Sequence, residues 1–347
     1  MPGPAKRRLC FPAWLPHVNS RYRSYRHPLA SVKLLNMDAK TDVHQLFSER
    51  LAAAVRHCRN PVLVGLDPRA QQLPSGLAPS GTASRADWAA AYARFCMLVV
   101  DVVAPLVPAV KPQAACFEQL GATGMQALAE VISHARRRGL MVVVDGKRND
   151  IGSTATAYAD GFLGPESAWG ADALTVSPYL GDDSLRPFVE LARERGCGVF
   201  ILVKTSNPGG GQFQDLVADG LPLYRHVGRY VERLAVETAA GDGYGAVGAV
   251  VGATYPEQLA ELRGEMRHAW LLVPGFGSQG GTARDVAGAF DPTGLGAVIN
   301  NSRGIIFAHA RPEFAQRFGA ARWQEAVEAA TWEMIEQLRA ETAAGKL

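Results

Sequence analysis

From Pro61 onward, short runs of Val, Ile and Leu alternate with longer stretches whose apolar residues recur every three or four positions. The uninterrupted apolar runs fit strands buried on both faces, and the longer period fits helices laid over them. Candidate strands are Pro61 to Asp67, Val107 to Lys111, Leu140 to Asp145, Ala171 to Val176, Gly198 to Lys204, Gly245 to Val251, Ala269 to Val273 and Leu295 to Asn300. Candidate helices between them include Asp87 to Val103, Gly124 to Arg138, Ser184 to Arg195, Leu223 to Thr238 and Pro256 to Gly264. Strand and helix in alternation predict an α/β fold with a parallel sheet. Eight repeats across roughly 280 residues match a single (β/α)8 TIM barrel, for which ~250 is typical. A doubly wound open sheet would place a Gly-rich dinucleotide turn after its first strand. Here that turn reads GLDPR, from Gly65 to Arg69.

In such a barrel the chemistry sits where the strands run out into the helix-bound loops. Those ends carry Asp67, Lys111, then Asp145, Lys147 and Asp150, then Ser177, Lys204 to Asn207, Pro274 to Gly281, and Ser302 to Gly304. The third strand reads LMVVVDGKRNDIGSTATAYA from Leu140, an apolar run that stops abruptly at three charges. Residues i and i+2 of a strand share a face, so Asp145 and Lys147 are both expected in the barrel mouth. Taken alone, this DxKxxD pattern also fits a solvated turn held by an ion pair. The Gly-rich segment after strand seven lets backbone N–H groups approach an anion, and Ser302, Arg303 and Gly304 are expected to open a helix whose start favours negative charge. An arginine there matches phosphate oxygens in a bidentate way. Each loop alone is equally readable as a tight turn.

Composition narrows the alternatives. With 48% hydrophobic and 20% charged residues, the 347-residue chain has the make-up of a globular protein with a sizeable core. The formal charge of +3 is local, because Lys6, Arg7, Arg8, Arg21, Arg23, Arg26 and Lys33 precede any acid. Removing those seven leaves −4 for the rest, and no general reason to expect nucleic-acid binding. Residues 1–36 are accordingly read as a basic, disordered extension, and residues 37–347 as the barrel domain. The extension has the acid-free, Arg-rich character of a transit peptide without the apolar centre of a secretion signal, and Met37 is an alternative start. Five cysteines, without CxxC spacing, point to a reducing, cytoplasmic setting. The most apolar stretch, Met97 to Val110, is broken by Asp101, Pro105 and Pro108 and is too short for the ~20 residues of a membrane span. The eight histidines show no paired spacing at strand ends; His57, His134 and His268 are expected on helix surfaces or in turns, and no metal site is expected.

Several of these segments together resemble orotidine 5′-phosphate decarboxylases, in particular their longer bacterial branch. The segments are GLDP on strand one, VKPQ on strand two, VVDGKRNDIGSTA on strand three, KTSNPG after strand five, PGFGSQGG after strand seven and NNSRGI after strand eight. The likeness spans Val62 to Ile306. It implies a cofactor-free decarboxylation of a pyrimidine nucleotide, with Lys147 delivering the proton to C6 of the ring. Lys111, Asp145 and Asp150 would complete an alternating charge array. Asp150, Ile151 and Thr154 would enter the neighbouring subunit's site in a homodimer. Asp67 and Lys111 would reach the ribose hydroxyls and Ser206 the pyrimidine. Arg303 would hold the phosphate, Gln279 would bridge phosphate and base, and Pro274 and Ser302 belong to the same end of the site. The segment Thr205 to Gln214, with three consecutive glycines, reads as a mobile lid. Ser177 has no implied role and is expected at most to cap the following helix. Two rivals are a magnesium-dependent sugar-phosphate aldolase or decarboxylase on the same barrel, which would share Asp145, Lys147 and Asp150, and a catalytically silent phosphate-binding barrel, which would keep only Arg303 and Gln279.

Overall fold

The structure is a computed structural model that describes residues 46–347 apart from 240, 242, 278 and 279. The extension assigned to residues 1–36, its junction at 37 and Gln279 therefore lie outside the described residues. Eight strands form a closed parallel barrel: β1 (Val62–Leu66), β2 (Ala109–Pro112), β3 (Met141–Arg148), β4 (Ala173–Val176), β5 (Gly198–Lys204), β6 (Val247–Val251), β7 (Leu271–Val273) and β8 (Ala297–Asn301). Each pairs with its sequence neighbours, and β1 closes the ring on β8 through Val62 opposite Ile299 and Leu63 opposite Asn300. The principal covering helices are Arg85–Val103, Ala122–Arg137, Gly152–Phe162, Asp182–Glu194, Leu223–Glu237, Pro256–Glu265 and Trp323–Glu341. No helix among the described residues is long and apolar enough to cross a membrane.

Because strand side chains alternate between faces, each strand contributes one set to the helix layer and one to the barrel interior. Val62, Val64, Val110, Val142, Val144, Val199 and Ile201 pack outward with the helices. Leu63, Ala109, Met141, Val143, Ala173, Phe200, Trp270, Leu272 and Val298 fill the lower interior. The strand starts are covered by a helix the periodicity did not single out, Phe47–Cys58. Its Phe47, Leu51, Ala52 and Val55 join the interior cluster, and Phe47 meets Phe200 edge-on at 5.9 Å. A Cβ on Gly198 would lie 2.4 Å from the Phe47 ring, so only glycine lets β5 start beneath it. Arg50 from the same helix bonds Asp172 at 2.6 Å and the Gly196 carbonyl at 3.0 Å, and Asp172 also accepts from Val142 N at 2.9 Å. One end of the barrel is thus stoppered with apolar side chains, and the other end is left to polar ones.

Two elements run beyond the boundaries expected from the sequence. The third strand continues past Asp145 to Arg148, with an irregular register against β4 between Val144 and Arg148. After β5 the chain makes the short helix Gly211–Gln214 and a two-rung hairpin, Val217–Ala218 against Leu221–Pro222. Helix Asp182–Glu194 starts at Gly181, not Ser177, whose backbone N–H instead donates to Arg148 O at 2.9 Å. The expected capping role for Ser177 is therefore not what the fold uses.

Candidate active site

Moving two residues along each strand from the apolar interior layer reaches the open end. Ala109 gives way to Lys111, Val143 to Asp145, Ala173 to Thr175, Phe200 to Leu202, and Val298 to Asn300. These five outer residues, with Asp67, Gln113, Lys147, Ser206, Phe213 and Pro274 among others, line a cavity of about 640 Å³. Its floor is Leu202, Val250 and Leu272, and its walls are charged.

Asp145 is the centre of those charges. Its carboxylate accepts from Lys111 Nζ at 2.7 Å, Lys147 Nζ at 2.6 Å, Thr175 Oγ1 at 3.0 Å and Gln113 Nε2 at 3.2 Å. Burial alone would raise its pKa, but the two ammonium groups and their hydrogen bonds outweigh that and hold it well below the usual carboxylate range. Lys111 is 3% exposed, and burial opposes its charge; the nearby Asp145 and Asp67 carboxylates overcome this and push its pKa upward. Both groups therefore remain ionised at neutral pH. The Lys147 side chain is about half exposed, at 48%, and reaches into the open part of the cavity.

Lys147 sits where it does because the backbone is bent to put it there. Its φ is +45°, in the left-handed region that costs a non-glycine residue about 1–3 kcal/mol. The peptide is tethered by its N–H to Thr175 Oγ1 at 2.9 Å. On the far side, Arg148 pairs with Glu118 and lies over the Phe162 and Tyr158 rings at 5.2 and 5.5 Å. Asp145 and Lys147 do face the same opening, but through an irregular strand and a strained residue rather than simple alternation.

The other expected residues divide. Asp67, Lys111, Ser206 and Pro274 share this cavity. Arg303 lines a second cavity of about 610 Å³, together with Phe276, Gly277, Asn301 and Gly304. Both cavities draw on the ends of β7 and β8: Pro274 and Asn300 line the first, and Phe276 and Asn301 the second. Ser302 lines neither; its buried hydroxyl has no hydrogen-bond partner among the described residues, and its Cβ lies 2.6 Å from where a Cβ on Gly65 would stand. The helix expected after Ser302 is a single turn, Arg303–Ile306, and Gly304 N–H is already bonded to Asn301 Oδ1 at 3.2 Å. One turn has little aligned dipole, so the charge preference expected there falls mainly on the Arg303 guanidinium. Asp150 is half-buried, with Oδ1 accepting from Ile151 N–H at 2.9 Å, while Ile151 and Thr154 are exposed at the start of helix Gly152–Phe162. None of these three lines either cavity. Two contributors were missed in the sequence: Gln113, inside VKPQ, and Thr175, the one polar residue of β4, ALTV. The interior parity of β4 is the signal that finds Thr175.

The segment from residue 60 to 318 matches the model of the orotidine 5′-phosphate decarboxylase / HUMPS family. The chain belongs to that family. An orotidine 5′-phosphate decarboxylase of Rhodopirellula baltica is 58% identical over 298 residues, covering 84% of this chain and 99% of that protein. One from Deinococcus radiodurans is 49% identical over 64% of this chain and 79% of its own. Among solved structures, a putative orotidine 5′-phosphate decarboxylase from Streptomyces avermitilis superposes with a TM-score of 0.70 at 37% identity, covering 86% of this chain and 96% of that one. The TIM barrel is thus the family's own fold, and the Asp145 cluster stands at the strand ends where barrels of this architecture do their chemistry.

Proposed function

We propose that the chain converts orotidine 5′-phosphate to uridine 5′-phosphate in pyrimidine biosynthesis, with Lys147 as proton donor to C6 and no cofactor. The observation that carries this reading is the buried Asp145 carboxylate held between two lysine ammonium groups at the cavity wall. Loss of carbon dioxide from C6 leaves an electron pair in the ring plane with no conjugated sink. A fixed ammonium beside that carbon stabilises the developing charge without reorganisation and then supplies the proton. Asp145 and Thr175 supply the fixing. Asp145 in addition faces the departing carboxylate; its main contribution on this reading is to orient Lys147, since ground-state repulsion is a contested source of rate.

The nucleotide's remaining parts follow from the lining. Asp67 and Lys111 are assigned to the ribose hydroxyls and Ser206 to the pyrimidine. A phosphate held by both the β7 and β8 loops would lie at the ends of those strands, within the reach of Arg303, with Pro274 and Ser302 at its rim and Gln279 retained from the resemblance. The exposure of Ile151 and Thr154 fits residues that complete a second subunit's site in a homodimer, with Asp150 closing that subunit's charge array.

The test is spectrophotometric. Orotidine 5′-phosphate is incubated with the protein in chelator, and the pyrimidine absorbance is followed. The wild-type chain is expected to turn over under these conditions, and Lys147→Ala to lose about a thousandfold or more in kcat. Turnover that requires a divalent metal, or a Lys147→Ala variant of near-normal rate, would overturn the assignment.

A further inference from the structure

Lys204, the last residue of β5, is completely buried yet takes no part in the cavity. Its ammonium lies 4.6 Å from the Tyr255 ring centre and 5.2 Å from that of Tyr224, and it forms an ion pair with Asp215. A buried lysine costs several kcal/mol unless its charge is met, so this side chain has one well-defined seat. Asp215, in contrast, is half exposed and stands at the far end of the lid. The next rung is also bonded across: Gln214 Oε1 accepts from Thr205 N–H at 3.0 Å, and Gln214 Nε2 donates to Thr205 Oγ1 at 2.7 Å. The lid is therefore a loop with a closed neck, in the manner of a compact Ω-loop, and its free part shrinks to Ser206–Phe213. Both end residues of that free part line the cavity. The β6 loop holds the same neck from the other side: a Cβ on Gly252 would stand 2.8 Å from Ser206 backbone and side-chain atoms, and Thr254 Oγ1 donates to Ser206 O at 3.4 Å.

We propose that Lys204 is a positioning residue, whose ion pair with Asp215 locks the neck of the lid to the barrel wall and so presents Ser206 and Phe213 to the substrate. With the pair broken, Lys204 keeps its buried seat between the Tyr224 and Tyr255 rings, so the lid is released without disturbing the Asp145 cluster. This inference rests on the nucleotide reading for its kinetic consequence, but the lock itself does not.

The experiment separates the two. Asp215→Asn keeps size and shape at a half-exposed site, and it is compared with wild type and with Asp215→Glu by hydrogen exchange and by kinetics. Amides of residues 205 to 214 are expected to exchange at least about tenfold faster in Asp215→Asn, the factor that corresponds to one charge-assisted hydrogen bond. Exchange in β3 and β4 should be unchanged, and Asp215→Glu should restore much of the protection. With orotidine 5′-phosphate, KM is expected to rise about tenfold while kcat falls less, because a loosened lid taxes closure more than chemistry. Unaltered exchange in the lid, or faster exchange spread over the whole barrel, would overturn the lock whether or not the wild type decarboxylates this substrate. Localised exchange with unchanged KM would overturn the positioning role.

Discussion

Replacing Thr175 by Val tests whether the strained lysine is held in place by its neighbours. The substitution keeps shape at a site 2% exposed and removes one hydroxyl that makes two bonds. One is donated to Asp145 Oδ1 at 3.0 Å and is charge-assisted, worth about 1.5–3 kcal/mol. The other is accepted from Lys147 N–H at 2.9 Å, worth about 0.5–1.5 kcal/mol, with the lower figure apt because water reaches this residue. Together they predict a stability loss of about 2–4 kcal/mol in urea unfolding. Asp145 keeps both lysines and Gln113, so its charge persists. The tether on the +45° backbone does not. If about 1.4–2.7 kcal/mol of that loss reaches the transition state through misplacement of the ammonium, kcat falls about 10–100-fold. Thr175→Ser, which keeps the hydroxyl, should recover most of the rate. A Thr175→Val variant that unfolds as expected but decarboxylates at the wild-type rate would refute the claim that Thr175 positions Lys147.

Two further outcomes follow from the same geometry. Asp145 has a folded pKa below its unfolded value of about 3.9, so its contribution to stability is present above pH ~4 and is lost as pH falls through the folded value. The stability gap between wild type and Asp145→Asn in urea should therefore be level from pH 8 to 5 and narrow only below about pH 4; narrowing near pH 6 would contradict the paired, ionised state. Gly65→Ala places a Cβ 2.6 Å from Ser302 Cβ and 3.1 Å from Asn300 Nδ2, which prises the ends of β1 and β8 apart. Its expected signature is a several-fold higher KM with Tm lowered by a few degrees, about 1–3 kcal/mol of overpacking, and an unchanged KM would place Ser302 outside any substrate contact.

The barrel was legible because a strand buried on both faces writes itself as an unbroken apolar run, and all eight runs recur here. What stayed hidden has physical causes. Helix Phe47–Cys58 carries an ordinary amphipathic pattern, and nothing local says that its apolar face closes the barrel floor. The left-handed backbone at Lys147 cannot be read from a residue type that normally avoids it, so simple alternation reached the right face by the wrong route. Thr175 looked like any strand threonine until the parity of β4 was known. Conversely, the charged ends of β2 and β3 stood out at once, since ionisable groups beside long apolar runs are costly to bury without partners. The β7 and β8 loops were legible as glycine and arginine, but not as walls of two separate cavities.

The placement of helix Phe47–Cys58 has a practical side. Leu347 packs against the same cluster, and its carbonyl accepts from Arg59 Nε at 3.1 Å just past the end of that helix. The first described turn and the last residue are thus neighbours at the pole opposite the substrate entrance. A bulky label placed at this pole would leave diffusion of nucleotide into the mouth unobstructed. A cut that removed Phe47 would instead open the floor to water.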